Sequence, residues 1–216
     1  MNGLWILLLL IAISALPVLA VLLWIRLRRL PVRLPWFLLA LLGGALSLGL
    51  AAILQSLFPK TEEASIRVLL VKIFIQIALT EELSRLVVFS LLLRLAGGFG
   101  KEAKPPAFAA ITGLIAGLGF AVIETAMYGV GNVSIALVRA VTAAPLHGAC
   151  GARVGIAVSH IRDAPVWALI RFLYAVGLHG MYNFMLLNQG IPLVFPVLIA
   201  FTALFSSIQL IRFSDG

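Results

Sequence analysis

Residues 4–25 read LWILLLLIAISALPVLAVLLWI, a run without a single charge. A helix needs about 20 mainly apolar residues to cross a bilayer, and this run has that length. It does not alternate apolar with polar residues, as the strand of a membrane barrel would. Six further runs of the same kind lie outward from it, at 36–58, 68–93, 108–128, 134–158, 166–187 and 192–211. Pro31 and Pro35, Pro59, the stretch from Gly97 to Pro106, Gly129 and Gly131, Pro165, and Gly190 with Pro192 separate them, the residues expected at breaks between helices. The chain therefore reads as all-α, a polytopic membrane helix bundle of about seven transmembrane helices forming a single membrane domain over 1–216.

The composition agrees. Of 216 residues, 62% are hydrophobic and 11% charged, whereas a soluble domain has roughly 45–50% apolar and about 25% charged residues. With too few polar side chains to cover a water-soluble fold, the solvent must be lipid and the protein an integral membrane protein. Cys150 stands alone, which excludes a disulfide framework. The net charge of +8 would point to nucleic acid in a soluble chain. Here the position of the charges decides. Arg26, Arg28, Arg29 and Arg33 follow the first run and no basic residue precedes it, the reverse of a cleavable signal peptide. That run is expected to be retained, with its N-terminus outside. Arg94, Lys101, Lys104, Arg153, Arg162 and Arg212 then fall on the same side as the first cluster, and only Lys60 and Arg67 on the other. This bias predicts an N-out/C-in orientation and makes most of the charge a matter of topology. No nucleic-acid partner is expected.

Ionisable groups inside spans cost roughly 2.5–3.5 kcal/mol each on insertion scales, so each is a candidate functional residue. Lys72, Arg139 and Arg171 lie toward span ends, where long basic side chains can snorkel. Glu81, Glu82, Arg85, Glu124, His147 and His179 lie deeper. Arg85 is four residues after Glu81 and three after Glu82, so it can pair with one carboxylate while the other faces the bundle interior as a candidate general base. Gly113 and Gly117 form a small-xxx-small face on the span that carries Glu124, permitting close approach of a neighbouring helix. Asn183 follows His179 by one turn, so imidazole and carboxamide can enter one cavity. A depth estimate at about 1.5 Å per residue brings Glu81, Glu82, Glu124, His147 and His179 toward a common level in spans three to six. The catalytic core is thus expected over 68–187, with 1–58 and 192–211 as peripheral scaffold helices.

Ser84 and Cys150 are the nucleophiles near this cluster, and neither has an assembled base and orienter. Two hydrolytic chemistries remain open. In one, a free Glu activates water while His179 and Asn183, with His147, stabilise the oxyanion, and no cofactor is needed. In the other, Glu124, His147 and His179 hold zinc and the remaining Glu acts as base.

The ordered set Glu81-Glu82-Leu83-Ser84-Arg85, Phe120-Ala121-Val122-Ile123-Glu124 with Tyr128, His147, and His179-Gly180-Met181-Tyr182-Asn183 resembles the motifs of the PrsW family of intramembrane proteases, related to the CAAX-prenyl protease and bacteriocin-processing superfamily. The resemblance covers about 68–187. It departs at Arg85, where the family usually has Lys, and at Asn183, where it often has an acid. It implies an intramembrane endopeptidase in which the Glu pair, Glu124, His147 and His179 form the site. The substrate it implies is a membrane-anchored protein or peptide, an anti-sigma factor by analogy, and the location a bacterial or archaeal cell membrane. Two other readings of intramembrane Glu and His are a proton-coupled transporter, which would call for an internal repeat that the chain lacks, and a non-catalytic scaffold retaining the polar pocket.

Overall fold

The structure, a computed structural model, describes residues 3–30, 32–59, 65–95, 106–188 and 190–213. Lys60, Lys101 and Lys104, which entered the charge reading above, lie outside the described residues. The described residues are helical apart from short connections, in the order α1 (Gly3–Leu27), α2 (Leu34–Ser56), α3 (Ile66–Val71), a π-helical segment (Lys72–Leu79), α4 (Thr80–Leu95), α5 (Pro106–Gly129), α6 (Val133–Val141), α7 (Ala143–His160), α8 (Pro165–Leu187) and α9 (Val194–Phe213).

Four helices are long and apolar enough to cross a membrane, at Leu4–Leu27, Leu34–Ser56, Pro106–Gly129 and Val194–Arg212. A fifth crossing results if α6 and α7 count as one bent span. Two expected spans fall short on that measure for identifiable reasons. The stretch 68–93 is divided by the π segment and carries Glu81, Glu82 and Arg85, and α8 carries Arg171, His179 and Asn183.

The expected continuous span over 134–158 is broken. It bends by 41° between α6 and α7, at Thr142. Pro145 accounts for the break: it has no N–H to offer the carbonyl of Val141, and its ring crowds that carbonyl. The π segment is a second departure from regular α-helix. Thr80 donates its hydroxyl to the carbonyls of Gln76 at 2.6 Å and Ile77 at 3.0 Å, satisfying backbone acceptors where the wide turns end.

At the centre of the bundle α5 and α7 are buried on nearly all sides. Such a pair needs a small-residue interface, because without a hydrophobic driving force in lipid, close van der Waals contact must hold the helices together. The interface is glycine against glycine. A Cβ at Gly113 would meet the Gly151 carbonyl oxygen, one at Gly117 the His147 carbonyl oxygen, and one at Gly155 the Ala109 carbonyl oxygen. The Gly113/Gly117 face thus docks on a matching Gly151/Gly155 face of α7. On the opposite side of α5, Gly119 approaches the Leu41 carbonyl oxygen and Gly44 of α2 approaches the Ala116 carbonyl oxygen, so α2 packs closely as well. α1, α2 and α9 present large apolar side chains such as Leu19, Leu46 and Phe205 outward, as lipid-facing helices do.

This packing has a direct test. Gly117→Val and Gly151→Val place side-chain atoms where backbone now lies, and each is expected to abolish the folded state in detergent. At Gly177, no atom lies within 4 Å of an added Cβ. Gly177→Ala should therefore be tolerated, raising stability by up to about 1 kcal/mol from helix propensity. Thermal unfolding of the purified variants measures both effects; equal behaviour of Gly117→Val and Gly177→Ala would refute the interface.

Candidate active site

α4 begins at Thr80, immediately after the π segment, so Glu81 and Glu82 stand in its first turn and face inward. Glu82 is fully buried, and both of its oxygens are committed: Oε2 accepts from Arg85 Nη1 and Oε1 lies 2.8 Å from His179 Nδ1. The sequence left open which Glu pairs with Arg85, and the structure selects Glu82. Because an ionised carboxylate only accepts, His179 Nδ1 carries a proton, and in the neutral ring Nε2 holds the lone pair. That lone pair faces Glu81 Oε2 at 3.6 Å, beyond hydrogen-bond distance. Glu81 Oε2 is buried and has no hydrogen-bond partner, while Oε1 accepts from Gln55 Nε2 of α2 at 3.3 Å.

The second histidine is held in the same way by a different carboxylate. His147 Nε2 lies 2.7 Å from Glu124 Oε2, and its Nδ1 lies 3.4 Å from Arg85 Nη2. A guanidinium can only donate, so Nδ1 is the unprotonated nitrogen and Nε2–H donates to Glu124. Glu124 also accepts from Arg139 of α6 through the same oxygen. The two imidazole rings meet edge to face, 4.9 Å between centroids. Phe120 lies beneath them, 5.0 Å from the His147 ring, with the Arg85 guanidinium 4.7 Å from its own ring centre. Each histidine therefore has one nitrogen fixed by a carboxylate, the arrangement in which outer carboxylates orient metal-binding imidazoles; the second nitrogen faces Glu81 in His179 and Arg85 in His147.

Glu81, His147 and His179 each offer one ligand atom, and these atoms lie within 4.8 Å of one another. This set differs from the Glu124, His147 and His179 set expected from the sequence: Glu124 orients His147 instead of joining the group. The donor set suits a metal ion, since two imidazoles and a carboxylate are ordinary zinc ligands and the orphaned Glu81 oxygen lacks a partner.

The expected site residues Glu81, Glu82, Arg85, Glu124, His147 and His179 are thus brought together. Asn183 is half-buried on α8 and makes no hydrogen bond among the described residues. Ser84 donates its hydroxyl to the Thr80 carbonyl at 2.7 Å, and Cys150 is buried with its Sγ 3.5 Å from the Ala175 carbonyl, so neither is set up as a nucleophile. Three residues depart from their sequence reading. Arg139 turns inward to Glu124 and stacks on Tyr128 at 4.2 Å instead of snorkelling outward. Gln55 draws α2, read as scaffold, into contact with Glu81. Arg153, counted among the loop residues, is buried within α7. All three lie inside the apolar runs 36–58 and 134–158, which is the signal that could have flagged them.

The profile of the PrsW family intramembrane metalloproteases matches residues 32–208. The chain belongs to the PrsW family. No curated protein and no solved structure matches it. The PrsW match spans every element that lines the cluster, including α2 with Gln55, and it extends the resemblance read from the motifs at both ends. As a PrsW protein the chain is an integral membrane protein and an intramembrane protease, acting on a substrate within the bilayer.

Breaking the buried pair should be costly, because a charge left unpaired in the interior typically costs about 3–5 kcal/mol. Glu82→Gln is expected to destabilise the protein by that order. The double variant Glu82→Gln/Arg85→Met, which removes both charges, should be markedly more stable than Glu82→Gln alone. A thermal or denaturant double-mutant cycle in detergent measures the coupling, and strict additivity would show that the pair does not hold α4 in place.

Proposed function

We propose that the protein hydrolyses a peptide bond of a membrane-anchored protein or peptide at the Glu81/His147/His179 cluster, with water as the nucleophile. The observation that carries this reading is the pair of acceptors, Glu81 Oε2 and His179 Nε2, facing each other at 3.6 Å with no hydrogen bond. Two lone pairs so placed in a buried site call for a proton or a cation between them. The family's description as metalloproteases supports the cation. Glu81, His147 and His179 would hold it. A divalent ion there supplies Lewis acidity toward water and the scissile carbonyl.

The chain's other residues have the following roles in this proposal. Glu82, neutralised by Arg85, keeps the His179 proton on Nδ1 and its lone pair inward. Glu124 does the same for His147 through Oε2, while its Oε1 makes no hydrogen bond among the described residues and its side chain is the most exposed of the three carboxylates, at 14%. Glu124 Oε1 accordingly takes a proton from the attacking water and returns it to the leaving amine nitrogen. Asn183 Nδ2 donates to the developing oxyanion. Gln55 holds Glu81 Oε1, which keeps the carboxylate plane fixed.

The catalytic elements lie over 68–187, with 1–58 and 192–211 as scaffold, except that α2 contributes Gln55. We also propose seven crossings, with the stretch 68–93 spanning because Glu82 and Arg85 neutralise each other inside the bundle and α8 because His179 is paired there, oriented N-out/C-in by the basic residues at one end. An anti-sigma factor remains the substrate class indicated by analogy, and a bacterial or archaeal cell membrane the corresponding location.

Metal analysis of the purified protein is expected to give about one zinc ion per chain. Glu81→Gln, His147→Ala and His179→Ala should lose the metal, whereas Glu124→Gln should keep it and cut cleavage of reconstituted single-span membrane proteins by about 10²–10⁴-fold. Chelator-resistant cleavage by metal-free protein would overturn the metal assignment and leave Glu81 as proton acceptor. Orientation is checked separately: a fluorescent protein fused after residue 213 should fluoresce in the cytoplasm, and a periplasmic reporter active at that position would reverse the topology.

A further inference from the structure

Away from the catalytic cluster, α7, α8 and α9 border an open cavity of about 430 Å³ whose lining includes Arg153, Trp167, Arg171, Tyr174, Ser206 and Gln209 beside apolar Ile170 and Leu210. Arg153 is its floor. The residue is 3% exposed, yet its hydrogen-bond partners are neutral, among them the Ala149 carbonyl at 2.9 Å, the Ala203 carbonyl at 3.4 Å, and the hydroxyls of Ser206 and Ser207. Its guanidinium also lies 5.1 Å from the Tyr174 ring centre. The described acids are Glu81, Glu82 and Glu124, committed to the cluster, and Asp163, exposed in the α7–α8 turn; none pairs with Arg153. A guanidinium cannot shed its proton, and a buried charge without a counter-charge is costly. A second cation, the half-buried Arg171, lines the same cavity and makes the deficit larger.

Depth adds an independent constraint. Arg153 stands seven residues before the end of α7 and Arg171 six after the start of α8, each about 10 Å inside the helix end at 1.5 Å per residue. Gln209 lies near the end of α9, so all three contributions come from the same end of the bundle. This end of the bundle is where α8 meets the headgroup layer in the proposed topology. Trp167, near the start of α8, is 63% exposed, as interfacial aromatics are, and Tyr174, two turns further in, is 56% exposed.

We propose that this cavity binds a phosphate-bearing anion, with Arg153 and Arg171 as the charge partners, Ser206 and Gln209 as additional polar groups, and Trp167 and Tyr174 as side walls. Two sources share that chemistry: the headgroup of an anionic phospholipid, which basic pockets between membrane helices accommodate, and free phosphate. Bound there, the anion ties α7 to α8, the helices that carry His147 and His179.

The test is thermal unfolding of the full chain in nanodiscs of phosphatidylcholine, of phosphatidylcholine with phosphatidylglycerol, and of phosphatidylcholine with added inorganic phosphate. Phosphatidylglycerol is expected to raise the unfolding temperature by a few degrees in a concentration-dependent way. Arg153→Gln and Arg171→Gln should each weaken that response about fivefold, and Arg28→Gln, in a turn at the end of α1, should not. An equal, arginine-dependent response to inorganic phosphate supports the site with free phosphate as its ligand. The proposal is overturned if unfolding is the same in all three conditions, or if the response survives in Arg171→Gln. The latter variant decides the matter alone should Arg153→Gln fail to fold.

Discussion

Glu82 is a fully buried carboxylate whose two oxygens each carry a load: one neutralises Arg85 on its own helix, the other fixes His179 on α8. In a low-dielectric bundle neither charge is tolerable alone, so the pair cannot separate without leaving a bare ion in the interior. That requirement sets the rotation of α4 and docks α8 against it. It also frees Glu81, the neighbour on the next spoke of the helix, to face the histidines with an unpartnered oxygen. The same logic recurs at Glu124, which balances Arg139 and orients His147 through a single oxygen. Glu82 and one oxygen of Glu124 thus each hold a histidine, and Glu81 lies beside both imidazoles.

The helix packing makes this convergence possible. Gly113 and Gly117 against Gly151 and Gly155 bring α5 and α7 within backbone contact, and Gly117 lies directly on the His147 carbonyl. Two turns beyond that contact on α5, Glu124 meets the His147 side chain at 2.7 Å. The bend at Thr142 then swings α6 so that Arg139 reaches back to Glu124, and the Thr142 hydroxyl, 2.9 Å from the Tyr182 hydroxyl, ties the bend to α8. On the far side, the narrow crossing of α2 over α5 at Gly44 and Gly119 runs along the helix that brings Gln55 to Glu81.

Much of the site was legible in the residues alone, for a reason rooted in solvation. In a chain with 11% charged residues, an ionisable group inside an apolar run stands out, and Glu81, Glu82, Arg85, Glu124, His147 and His179 were all found that way. The same criterion failed where polarity and depth were ambiguous. Arg139 near a span end looked like a snorkelling side chain, and Arg153 was assigned to a loop although helix α7 continues past it to His160. Gln55 carries no charge and sat in a run read as scaffold. The π segment before Glu81 left no signal either, since its residues are as apolar as those of the regular helix around it.

Sequence by itself determined the solvent, the all-helical class and the set of chemical groups committed to the interior, because hydrophobicity and the cost of buried charge are local properties that composition and spacing record. Only the tertiary structure decided which carboxylate meets which cation, which nitrogen of each histidine meets a carboxylate, and that Glu81 lies near both imidazoles. Those outcomes depend on helix rotation, on the break at Pro145 and on backbone contact at facing glycines. Each is a relation between segments far apart in the chain, and no single run of residues encodes it.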